Sequence, residues 1–190
     1  YTQLTDGKIA KVDPSSGVLG SRVTLTGLSL LAGDSKLLSV TLDSVAATVT
    51  AFSNTNITLI VKDAKKGVPS SVIITATTGA TITEEKAWTY LEPGTITKVT
   101  PAQGQQGTSV TIEGTSLFAG GKSIKAVKLN GVSVASIGGT QTSEKLVVVA
   151  ATGAKTDAAK DIVMVSDIGT TITGKAKWTY LQQGVITALK

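Results

Sequence analysis

The chain contains no cysteine and no histidine in its 190 residues. Thiolate and imidazole nucleophiles, histidine general bases and the usual zinc and haem ligands are thereby excluded. Disulfides are excluded too, so cysteine pairing says nothing about the redox compartment. Arginine is nearly absent: Arg22 stands alone against 17 scattered lysines, which leave a net charge of +5. Proteins that read base edges favour the bidentate arginine fork, so no nucleic-acid partner is expected. The scattered lysines read instead as a solvated surface that keeps edge strands from pairing. Acidic residues number 13 and aromatics seven, few for a catalytic cluster or a stacking platform. No run is long and apolar enough to span a bilayer, so this segment is not expected to insert into a membrane.

What is abundant points to strands. Threonine accounts for 30 residues and glycine for 20, and 41% of the chain is hydrophobic. β-Branched residues suit a pleated surface and glycine punctuates turns. No stretch sustains the 3.6-residue period of an amphipathic helix.

The chain repeats itself. Gly7-Lys-Ile-Ala-Lys-Val-Asp-Pro14 matches Gly94-Thr-Ile-Thr-Lys-Val-Thr-Pro101, and 17 of 39 positions are identical between residues 7–45 and 94–132. The C-terminal parts match at an offset of 90, Trp88-Thr-Tyr-Leu91 against Trp178-Thr-Tyr-Leu181. Three extra residues of the second copy therefore fall opposite residues 46–71. Two full copies are expected at 7–93 and 94–183. Residues 1–6 read as the tail of a preceding copy, and Gly184-Val-Ile-Thr-Ala-Leu-Lys190 as the start of a following one.

Periodicity places strands of the second copy near 95–100, 108–113, 124–130, 132–137, 145–150, 161–166 and 175–181, with the first copy at equivalent positions. Val23 and Leu25 alternate with Thr24 and Thr26, which puts the aliphatics on the core face. Pro14 and Pro101 end the first strand, because proline cannot donate to a ladder. Trp88 with Tyr90, and Trp178 with Tyr180, share a face by alternation and are expected in the core. About seven short strands per copy argue for two all-β, immunoglobulin-like sandwiches without the pinning disulfide.

The order of residues in each copy resembles the IPT/TIG family of early-set immunoglobulin-like modules. The second copy carries the pattern in Gly94, Ile96, Val99, Pro101, Gly104, Gly107, Val110, Ile112, Gly114, Leu117, Val127, Leu129, Asn130, Gly131 and Val132. The first copy departs at Asp43-Ser44, where the pattern has Asn-Gly, so a different turn is expected there. The resemblance implies the fold over nearly the whole chain. It leaves function open among surface receptors, adhesins, polysaccharide-active enzymes and transcription factors.

No constellation of residues supports catalysis, a metal or another cofactor. Glu84-Glu85, the adjacent acidic pair, is replaced by Gly174-Lys175 in the second copy and reads as an exposed strand-end turn. Asp13, Asp34 and Asp43 lack calcium-loop spacing. Gly104-Gln-Gln-Gly107 lacks the helix and Lys-Ser/Thr of a phosphate cradle and reads as a turn. Phe52 and Phe118 remain as surface-contact candidates. Asn56-Ile57-Thr58 is an N-glycosylation sequon, meaningful in a eukaryotic secretory setting and without counterpart in the second copy.

The expected functional residues lie at the inter-repeat junctions, Leu91, Glu92, Pro93 and Gly94, then Leu181, Gln182, Gln183 and Gly184. So short a connection, stiffened by proline, suits end-to-end stacking into a semi-rigid rod, stalk or filament. The expected protein is non-catalytic, structural or adhesive, extracellular or at the cell surface. Its partners would be neighbouring repeats of the same chain, other copies of itself, or surface proteins and glycans. The alternative is a carbohydrate- or receptor-binding module using loops at 31–38, 50–56, 118–124 and 136–144, which differ between copies.

Overall fold

The structure is a computed structural model that describes residues 6–184. The chain divides into two compact units. The first contains β1 (Lys8–Asp13), β2 (Ser16–Gly17), β3 (Arg22–Leu28), β4 (Leu37–Leu42), β5 (Val45–Ala46), β6 (Thr48–Phe52), β7 (Asn56–Ile60), β8 (Ser70–Ala76) and β9 (Thr81–Tyr90). The second contains β10 (Thr95–Thr100), β11 (Gln103–Gly104), β12 (Ser109–Thr115), β13 (Ile124–Leu129), β14 (Val132–Ser133), β15 (Ser136–Gly138), β16 (Lys145–Val149), β17 (Lys160–Ser166) and β18 (Thr171–Tyr180). Apart from Asp6 and Gly184, the expected preceding tail and following start lie outside the described residues.

Each unit is a sandwich of a four-stranded and a five-stranded sheet. The orders are β1-β3-β7-β6 and β2-β9-β8-β4-β5 in the first, and β10-β12-β16-β15 and β11-β18-β17-β13-β14 in the second. Alternation drives this arrangement. Val23 and Leu25 on β3, and Val110 and Ile112 on β12, are fully buried, as are Leu59 and Val148 on the paired strands β7 and β16. Trp88 and Trp178 lie wholly inside, each touching its tyrosine edge-to-face. Burying a ring of that size is worth roughly 4–6 kcal/mol at ~25 cal/mol per Å² over ~150–250 Å². Gly27 and Gly114 end the core runs of β3 and β12. A Cβ there would stand 2.1 Å from the carbonyl oxygen of Lys8 or of Thr95, so no side chain fits between the paired strands.

Among the described residues nine strands form in each unit where seven were expected. After Pro14 and Pro101 the chain crosses to the opposite sheet, and β2 and β11 pair parallel with the ends of β9 and β18. Gly104 therefore belongs to a short strand, and the turn expected at 104–107 begins after it. The single strand expected at 132–137 is split between sheets. Val134 N–H donates to Val127 O of one sheet, and Ala135 N–H to Val149 O of the other, so the crossover lies between them.

The last strand starts at Thr171, four residues before the expected position, and carries a bulge. Ile162 pairs with Gly174 but Lys160 with Trp178, and Ala176 takes a positive φ of 49°. Glu84-Glu85 occupies the equivalent bulge of β9, so the expected strand-end turn is a mid-strand irregularity. The turn at Asp43-Ser44 also departs from expectation. Asp43 and Ser44 have φ of 49° and 64°, Asn130 and Gly131 50° and 76°, so both hairpins use one left-handed turn type.

Register locates the extra residues. Val23↔Leu59 corresponds to Val110↔Val148, an offset of 87 on the first strand and 89 on the second. Ile74↔Ile82 corresponds to Met164↔Ile172 at an offset of 90. Two of the three thus precede β16, and the third lies between β16 and β17.

Candidate interaction surfaces

The junction residues divide into anchored ends and an exposed middle. Leu91 N–H donates to Gly17 O at 2.8 Å, and Leu181 N–H to Gly104 O at 2.8 Å, so each terminal strand is held one residue past its tyrosine. Gly94 is tied to the second unit. A Cβ there would lie 2.5 Å from Ser116 O and 2.9 Å from Ile172 Cγ1. Glu92 and Pro93 are exposed between these anchors. After Leu181, Gln183 Nε2 donates to Gln106 Oε1 at 3.2 Å and Gly184 N–H to Gln105 Oε1 at 3.3 Å, while Gln182 is exposed. The first repeat has Val18 and Leu19 where the second has Gln105 and Gln106, so it has no side-chain amide at those positions to hold its connector.

The acidic side chains serve local structure. The Asp34 carboxylate accepts from Thr77 Oγ1 and from the N–H groups of Ser35, Lys36 and Thr78, which hold its pKa below the usual value. Asp161 accepts from Lys175 Nζ at 2.9 Å and Ala176 N–H at 3.0 Å, and is likewise lowered, chiefly by the lysine. These bonds brace the β18 bulge. In the first unit Ser71 Oγ instead donates to Glu85 Oε2 at 2.6 Å. Among the described residues no three of His, Cys, Asp and Glu are grouped to hold a metal ion. Asn56 is exposed at the start of β7, with its Nδ2 donating to Thr55 Oγ1 at 3.3 Å.

Among the described residues four core atoms have no hydrogen-bond partner: Trp88 Nε1, Tyr90 Oη, Trp178 Nε1 and Tyr180 Oη. Burial, then Asp43 and Asp63, push the Tyr90 phenol up to about 12. Burial alone raises Tyr180. Recurrence in both repeats makes this a property of the shared core.

The repeats diverge at the open side of the sandwich, between β6 and β4. Leu37, Leu38, Val49, Thr50, Ala51 and Phe52 line a groove of about 370 Å³. Leu38 is 64% exposed and Phe52 47%. In the second repeat Lys125 replaces Leu38, Ser136 and Ile137 replace Thr48 and Val49, and β15 stops at Gly138, before Gly139 at a φ of +66°. Of the two phenylalanines, Phe52 is exposed and Phe118 half-buried. Residues 51, 52 and 138, expected only in loops, are edge strand. Their period was hidden by a bulge between Val49 and Ala51 and by the brevity of β15. Leu37 and Leu38 lie within the candidate loop 31–38 but open strand β4, beside an edge that is new to the site. The signal was present in residues 44–61, eighteen consecutive positions without a charge.

The family model for the IPT/TIG domain matches residues 8–90 and again 95–180. Among solved structures the chain is similar to the full extracellular region of plexin A4, at 19% identity and a TM-score of 0.62, covering 94% of this chain and 16% of that one. It also matches the SGBP-B protein of a complex xyloglucan utilization locus in Bacteroides uniformis, at 16% identity and a TM-score of 0.39, covering 92% of this chain and 50% of that one. The chain thus spans a sixth to a half of the length of these proteins. No curated protein matches it. With both repeats matched from first to last strand, the chain belongs to the IPT/TIG domain family, as two tandem domains.

Proposed function

We propose that this chain is a non-catalytic structural or adhesive segment of an extracellular or cell-surface protein, and that its repeats stack end to end into a semi-rigid rod. The observation that carries this reading is the connector. Leu91 is bonded to Gly17, Gly94 packs against Ser116 and Ile172, and Glu92 and Pro93 stand between them. Two free residues, one of them proline with a fixed φ, allow little bending. The domains at 7–93 and 94–183 then act as spacers whose partners are the neighbouring repeats. Likeness to a plexin extracellular region supports the fold such a segment needs. Among the described residues no helix is long and apolar enough to cross a membrane.

The test is to insert a flexible Gly-Ser segment between Glu92 and Pro93 and compare small-angle scattering of the two chains. A stiff junction predicts a broader distribution of intramolecular distances after insertion. An unchanged distribution would show that the native connector is already flexible and would defeat the rod.

A further inference from the structure

Edge strands of the described sheets are defended against pairing in two ways, and one strand has neither. β1 carries Lys8 and Lys11, and β10 carries Lys98. β2, β5, β11 and β14 are two residues long, and β15 is three. β6, Thr48-Val-Thr-Ala-Phe52, is five residues long and uncharged, and it lies inside the charge-free run 44–61. Its outer backbone edge is open, and beside it Leu38 and Phe52 expose apolar surface that burial would remove from water.

We infer that β6 of the first repeat is a self-association edge, at which a second copy of this chain pairs its own β6 antiparallel. Charge selects this occupant. The chain carries +5, so two copies repel where lysines face one another. At β6 they meet without opposing charges. An anionic partner would find no cation within residues 44–61. An antiparallel pair of identical strands is isologous, and a two-fold axis perpendicular to the sheet keeps both apolar grooves on one face. The two four-stranded sheets become one of eight, with Val49 of one copy beside Ala51 of the other and both Phe52 side chains under cover. The bulge at Thr50 and the short strand keep the contact below the ~1,000 Å² of a stable interface, so a single pair is weak. An array that repeats this edge multiplies it. The second repeat cannot pair in this way: Lys125 stands in the groove and β15 stops at glycine.

The experiment is sedimentation equilibrium of the 190-residue chain over a wide concentration range. The weight-average mass is expected to rise above 19.3 kDa with concentration. Leu38→Lys with Phe52→Lys, both at exposed positions, should weaken that rise at least ~10-fold, because four lysines meet across the axis. The native chain has no cysteine, so Thr50→Cys gives a second readout. It should form a disulfide-linked dimer under mild oxidation faster than Ser136→Cys. A parent chain that stays monomeric throughout, a double-lysine variant that associates like the parent, or equal cross-linking at the two cysteines would each overturn the inference. So would loss of oligosaccharide binding in the double-lysine variant with no change in mass, which would assign the groove to a glycan. Mass reports lateral pairing and scattering reports junction stiffness, so this inference and the rod reading fail separately.

Discussion

The two repeats place the same aromatic pair at the same depth. Ring centroids are 5.6 Å apart in Trp88–Tyr90 and 5.5 Å in Trp178–Tyr180, with interplanar angles of 85° and 86°. At the open side of the sandwich they part. One presents Leu38, Phe52 and a five-residue uncharged edge, the other Lys125 and a three-residue edge ending in glycine. The bulge of the last strand differs as well, braced by Ser71 and Glu85 in one repeat and by Asp161 and Lys175 in the other. Interior positions tolerate little because close packing penalises every changed volume. Outer positions are free to diverge, so specialised contacts belong there.

The largest expected effect tests the shared interior. Trp88→Ala and Trp178→Ala should each destabilise their own repeat by about 3–5 kcal/mol in denaturant unfolding. The losses should agree within ~1 kcal/mol, and a wide gap would mean that the cores are not equivalent. Next come the phenols. Tyr90→Phe and Tyr180→Phe each remove an unpartnered hydroxyl and should stabilise by about 1–3 kcal/mol at neutral pH. Both phenols are raised above 10, so the folded state holds the proton more tightly than the unfolded chain. The associated stability is full below pH 10 and is lost as pH rises, for Tyr90 through about 12. Alkaline melting curves should show that loss, and each Tyr→Phe change should abolish it in its own repeat.

A smaller effect separates the hairpins. Ser44→Gly should stabilise the first repeat, and Gly131→Ser destabilise the second, by about 1 kcal/mol each, because both positions demand a positive φ. Thermal melting of the two variants checks the sign. The smallest effect is at acid pH. Asp34 and Asp161 are lowered from 3.8, so their bonds contribute above that pH and are lost as pH falls below it. Asp34→Asn and Asp161→Asn should each flatten the acid limb of a stability–pH profile in the repeat that carries the change.

The sandwich was legible in the chain because period-2 burial writes itself into residue choice. Alternation places Val23 and Leu25 in the core, the repeat carries the same pattern to Val110 and Ile112, and alternation likewise places Trp88 and Trp178 beside their tyrosines. Proline correctly marked the end of the first strand. The crossings into β2, β11 and β15 were not legible, because two- and three-residue strands carry no periodicity and depend on hydrogen bonds to distant strands. The turn at Asp43-Ser44 was misread because the hairpin register imposes a conformation that the residues do not advertise. The edge at β6 was legible in place but not in form. Phe52 and the segment 50–56 marked the place, but the bulge between Val49 and Ala51 breaks the strand period, so the segment reads as a loop rather than as an uncharged edge strand.

The proposed role rests on repeats that add length. Scattering from recombinant arrays with increasing repeat number tests this most directly. The rod predicts a radius of gyration that grows in direct proportion to repeat number. Growth as the square root of repeat number, or slower, would mean flexible beads or a collapsed particle and would contradict it.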